Sequence, residues 1–164
     1  MRVQHSGNGV EPVRCIPKSR LSRDYDLEWD NESIEVSFST FGDGGKLKFK
    51  DSEYEIDVKG PLGRIWTLRE DRDPVMTAER HGIRSAIIIE RDGEQYSLER
   101  KHLLSSEFLL SAHNEVIADF EKPKLLNRKL EIHVLDVEAD FLTLAFAFWM
   151  VTDVRRAATG KRRV

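Results

Sequence analysis

The chain of 164 residues holds a single cysteine, Cys15. One thiol excludes an internal disulfide framework and any structural zinc site built on cysteines. It agrees with a reducing compartment. No apolar core of signal-peptide length follows Met1-Arg2-Val3-Gln4-His5-Ser6-Gly7-Asn8, so the expected location is cytoplasmic. The five histidines (His5, His81, His102, His113 and His133) form no HExxH or similar spacing, which leaves no metal site and no cofactor to expect. No serine lies in a GxSxG elbow. Gly42-Asp43-Gly44-Gly45 is followed by neither a helix nor Lys-Ser/Thr, so it is a turn and no phosphate cradle. Glu53, Glu55 and Asp57 alternate on one strand, and Lys46, Lys48 and Lys50 precede them. That pattern fits a solvated outer face with cross-strand ion pairs better than acid–base chemistry. These absences argue for a protein that is not an enzyme.

A sustained helical period is also missing before Asp136. In its place, short runs alternate apolar and polar side chains, from Tyr25-Asp26-Leu27-Glu28-Trp29 to Lys129-Leu130-Glu131-Ile132-His133-Val134-Leu135. Turn signals separate them, among them Gly42-Asp43-Gly44-Gly45, Gly60-Pro61-Leu62-Gly63, Arg91-Asp92-Gly93 and His113-Asn114-Glu115. Ten or eleven strands at this spacing predict an antiparallel sandwich or barrel. Residues 1–23 mix Gly, Pro, Ser and Arg without a period and are expected to form a loose arm.

Charge is divided along the chain. The net of −3 conceals sixteen basic against twenty-four acidic residues over 31–153, and five basic residues with no acid over 154–164. An acidic body with a short basic tail (157–164) argues against nucleic acid as the partner. It leaves an anionic lipid or a protein as the expected one.

The one long apolar run comes late. From Phe141 to Val151 only Thr143 interrupts it. A helix apolar on every side must be enclosed, and this run is shorter than the roughly 20 residues that cross a bilayer. Enclosure by protein is therefore expected, and no transmembrane segment. With Asp136 as its N-cap and Arg155 and Arg156 at its exit, the helix should span about 138–156. A closed barrel of 24–156, with the helix through its centre, buries both the strand faces and the helix. Trp149 would then need an acceptor for its indole N–H.

A polar-alternating meander with these turns, ending in Asp140-Phe-Leu-Thr-Leu-Ala-Phe-Ala-Phe-Trp-Met-Val, resembles the tubby-like C-terminal domain superfamily. Within it, the chain is similar to the LURP-one-related and phospholipid scramblase-like branches over residues 31–156. The resemblance implies a mainly β fold of about 10–12 strands, a closed antiparallel barrel around a buried hydrophobic C-terminal helix. Tubby domains bind phosphoinositides through surface Lys and Arg, scramblase-like members associate with membranes, and LURP-one-related members mostly carry no assigned activity. The expectation is a monomeric binding module for an anionic lipid headgroup, a small anion or a protein partner. Arg84, Arg100, Lys101, Arg155 and Arg156 are the candidate anion ligands. The alternatives are a membrane-tethered protein using the C-terminal apolar run, or an enzyme whose site the sequence does not display.

Overall fold

Buried side chains alternate with more exposed ones along most strands, and the sheet closes on itself. A computed structural model describes residues 10–60, 64–82, 85–124 and 126–158. It contains β1 (Val13–Pro17), β2 (Tyr25–Trp29), β3 (Glu32–Phe38), β4 (Gly45–Phe49), β5 (Ser52–Lys59) and β6 (Arg64–Glu70). It continues with β7 (Asp73–Arg80), β8 (Ile87–Arg91), β9 (Glu94–Arg100), β10 (Phe108–Ala112), β11 (Glu115–Phe120), β12 (Leu130–Val134) and α1 (Phe141–Ala158). Each strand pairs antiparallel with its chain neighbours, and β1 pairs with β12 to complete a twelve-stranded barrel. Closure leaves no sheet edge.

The expected barrel is present, and it begins earlier than expected. Within the predicted loose arm of residues 1–23, Val13–Pro17 is the closing strand: Val13 pairs with Ile132 and Cys15 with Leu130 on one side, and Cys15 with Leu27 on the other. Val13 and Cys15 are buried and Arg14 is exposed. The four residues between Pro12 and Pro17 are too few for alternation to stand out, and proline masks a strand that starts or stops beside it. Residues 1–9 lie outside the described residues, as do 159–164 of the expected tail and part of the predicted turn at Gly60–Gly63.

Small residues face large ones where the wall must fit its contents. Trp66 pairs with Ala78, and Leu110 with Ala118. The register shifts beside Leu68/Arg69 and beside Leu110/Ser111. The first bulge lies next to Pro74, which has no N–H to donate to the ladder.

The helix α1 fills the lumen. Every residue from Phe141 to Val151 is buried. Phe141 lies edge-on against Trp29 and Phe49, Phe148 against Tyr25, and Trp149 stacks on Phe38. The Trp149 indole donates to the Ser37 carbonyl at 3.0 Å, which supplies the acceptor that its burial demands. Each enclosed large apolar side chain contributes about 1.5–3 kcal/mol. A surface ion pair on the outer wall, such as Lys46–Glu53, contributes about 0–1 kcal/mol. Apolar burial of wall and plug together therefore outweighs the ion pairs of the outer surface. No helix among the described residues is long and apolar enough to cross a membrane, and the apolar run read alternatively as a tether is wrapped by strands.

The helix starts at Phe141 and not near 138. Asp140, not Asp136, is the cap: its carboxylate accepts from the Thr143 backbone N–H at 2.8 Å and pairs with Arg91. Asp136 instead accepts from Glu138 N at 2.9 Å, closing a turn before the helix. Both aspartates offer the same local chemistry. Arg91, on β8, is the partner found beside Asp140.

Candidate functional site

The two ends of the barrel are built differently. At the end where α1 enters, five strand pairs are joined by two-residue turns: Asp30-Asn31, Lys50-Asp51, Asp71-Arg72, Asp92-Gly93 and His113-Asn114. Four of these have both residues at positive φ, as the tight hairpin twist requires. Their side chains cannot reach far. At the end where α1 leaves, the connections are longer: 18–24, 39–44, 60–63, 81–86, 101–107 and 121–129. Most of the loops from which a site can be assembled lie at this end; at the other, residues 135–140 form a longer connection and line a cleft of about 210 Å³ with Glu94, Tyr96 and His113.

Charge separates the same way. Over the short turns and residues 135–140, Asp30, Asp51, Asp71, Asp92, Asp136, Glu138 and Asp140 outnumber Lys50 and Arg72. The described loop end reverses this balance. Lys18, Arg20 and Arg23 lie in the first loop, Lys101 in the fifth, and Lys122, Lys124, Arg128 and Lys129 in the sixth, with Arg155 and Arg156 on the helix. Against them stand Asp24, Asp43, Glu107 and Glu121. The acidic chain thus carries a cationic face.

Two of the expected anion ligands serve the fold. Arg155 donates from Nε to the Ser106 carbonyl at 2.7 Å and from Nη2 to the carbonyls of Phe120 and Glu121 at 3.2 and 2.8 Å. Arg156 donates to the Arg23 carbonyl at 3.1 Å and lies 3.9 Å from the Phe38 ring centroid. Burial lowers each pKa to about 10, so both remain charged at neutral pH. They tie the helix exit to the first, fifth and sixth connections and complement the negative end of the helix dipole.

Arg100 and Lys101 do come together, at a cleft of about 270 Å³ between the β7–β8 and β9–β10 loops, where Arg80 and His102 also line the wall. Arg100 is held by the Ser105 carbonyl at 2.9 Å and by the Phe108 ring. Arg80 lies over the Trp66 ring. Lys101 sits between Asp119 at 3.0 Å and Glu107 at 3.5 Å, and the Asp119 hydrogen bond raises its pKa. Arg84 lies outside the described residues. Arg80 is one of the arginines scattered through the middle strands, with Arg64, Arg69, Arg84, Arg91 and Arg100; spacing alone gives no sign of which converge, and the fold brings Arg80 and Arg100 to one cleft.

Residues remote in sequence also meet on the outer wall. Glu121 accepts from the Glu131 backbone N–H at 2.8 Å, and its other oxygen lies 3.2 Å from His133 Nε2. One ligand atom from each of Glu121, Glu131 and His133 falls within 4.8 Å of the others. The Glu131-x-His133 spacing on one strand face was its only local signal. Cys15 is buried, and that burial pushes its thiol well above the ordinary value, so it is no nucleophile at neutral pH.

Together these features define a plugged, up-and-down β-barrel with one acidic, tightly turned end and one cationic, looped end. Comparison with protein-family models, with curated proteins and with solved structures found no match.

Proposed function

We propose that the chain is a non-enzymatic binding module for an anionic group, taken at the loop end of the barrel. The observation that carries this is the cleft between the β7–β8 and β9–β10 loops, where Arg80 and Arg100 are held against Trp66 and Phe108. Guanidinium groups fixed over aromatic rings lose little freedom when they bind, and their planar donors suit phosphate and carboxylate oxygens. The helix occupies the lumen, which turns attention to the loop end. The likeness to tubby-like domains, which bind phosphoinositides through basic side chains, points the same way.

The test is titration with inorganic phosphate and with glycerol 3-phosphate, followed by calorimetry and by chemical-shift changes in the 80–108 segment. Arg100→Gln should weaken binding about tenfold, the loss of one charge-assisted hydrogen bond, and Arg100→Lys should restore part of it. Equal affinity of the parent and Arg100→Gln would sink the reading.

A further inference from the structure

Leu21, Phe41, Leu104 and Leu126 are each 92% or more exposed, and Leu103 is 69% exposed. These are the five most exposed large apolar side chains among the described residues. All five lie in the long connections at the loop end, on four different loops. The apolar residues exposed at the other end, Leu135 and Val137, are 57% and 59% exposed. Polar loops have no structural need of leucine at their tips, and these side chains add nothing to the core.

Their neighbours are cations. Arg20 precedes Leu21, Lys101 lies two residues before Leu103, and Leu126 falls between Lys124 and Arg128. Arg20, Arg23, Lys122, Lys124 and Lys129 are exposed and make no ion pair among the described residues. Phe41 is the exception, with Asp43 close by in sequence, and Asp43 lies 3.9 Å from Arg64.

We propose that the loop end docks on an anionic lipid bilayer, with these apolar tips inserted below the headgroups and the cations at phosphate level. The arrangement distinguishes this partner from a protein. A protein interface gathers its apolar area into one desolvated core with a polar rim. Here the apolar points are dispersed over separate loops, and on the first and sixth of these they stand among Lys and Arg that make no ion pair among the described residues, while Lys101 beside Leu103 is held by Asp119 and Glu107. That is the pattern of side chains that straddle a lipid interface. The acidic turns at the opposite end orient the barrel, because a negative surface repels them while it attracts the loops. The barrel would stand on its loop end, its axis steep to the membrane plane. This deepens the anion-binding reading above, from which it takes the charge of the site, and adds the apolar contact and the orientation.

The full chain is tested by co-sedimentation with vesicles of phosphatidylcholine and phosphatidylserine, against phosphatidylcholine alone. A polarity-sensitive dye is placed on Leu104→Cys and, at the opposite end, on Glu115→Cys; the buried Cys15 thiol leaves the native cysteine unlabelled. The expected result is binding to the anionic vesicles, a blue shift at position 104 and none at 115. The double variant Leu103→Ser with Leu104→Ser should partition at least tenfold less, as expected for loss of two buried leucines. Both positions face solvent, so this variant should fold as the parent does.

Anionic vesicles bound with the dye at 104 still in water, and with the double variant binding like the parent, would overturn insertion. So would a chain that ignores vesicles but dimerises through these loops, or one that captures a protein through them. Inorganic phosphate separates the two readings. Phosphate binding without vesicle docking removes this inference and keeps the cleft, whereas docking by the tips without phosphate binding removes the cleft and keeps the bilayer.

Discussion

At the scale of single residues, the most constrained contact is where β4 begins. Gly45 pairs with Phe38, and a methyl group on it would lie 2.1 Å from the Ser37 carbonyl oxygen and 2.6 Å from Trp149 Nε1. That is the space through which the Trp149 indole donates to Ser37. Gly45→Ala must therefore move the backbone of β3 or break the one hydrogen bond of a buried indole. We expect a loss of about 2–4 kcal/mol, from overpacking combined with an unsatisfied buried donor, read as a lowered urea midpoint with an unchanged slope. A stability within about 0.5 kcal/mol of the parent would show that the wall gives way freely there. The sequence announced the need of Trp149 for an acceptor but not the identity of that acceptor, since Ser37 is 112 residues away.

Among the elements, β1 and α1 make opposite lessons. The helix was readable because eleven residues with one polar interruption leave no amphipathic stripe, and only enclosure satisfies that pattern. The hairpins were readable because two-residue turns demand Asn, Asp or Gly. β1 was hidden, since its partners are β12 and β2 and its five residues carry little pattern of their own. Its role predicts the effect of truncation. Removing residues up to Pro17 strips β12 and β2 of a partner each and opens the barrel along its full height. Soluble, cooperatively folded protein should be lost, whereas removal of residues 1–9 should leave the thermal midpoint within a few degrees. A truncation through Pro17 that still melts cooperatively near the parent would mean that β12 and β2 can pair directly. The loop tips went unread for a different reason: Leu103-Leu104 before Ser105-Ser106 looks like the edge of a turn, and an exposed leucine or phenylalanine on one loop carries meaning only when the topology puts four such loops at one end.

Taken as a whole molecule, wall and plug share a single core. The strand faces around the barrel, from Leu27 and Val36 to Phe120 and Ile132, are buried together with α1. Neither part has an independent apolar interior, so unfolding should be all-or-none. Tryptophan fluorescence reports from Trp29 and Trp66 on the wall and from Trp149 on the plug. Its transition should coincide with loss of far-ultraviolet strand signal in the same urea series. Two separated transitions would show that the barrel persists without its helix. The cationic and acidic ends lie at opposite poles of this one cooperative unit, so charge changes in the loops should leave the core transition nearly unchanged.

The order β1 to β12 and then α1 has a consequence for biosynthesis. A chain emerges from the ribosome N-terminus first, so all twelve strands are exposed before the helix that fills them has been made. Val13 and Cys15 must also wait for Leu130 and Ile132 before the seam can form. Until then the nascent sheet displays its entire apolar inner face and two open edges, the condition most prone to aggregation. Closure of the barrel must thus wait for α1, and folding is completed in one step when the plug arrives.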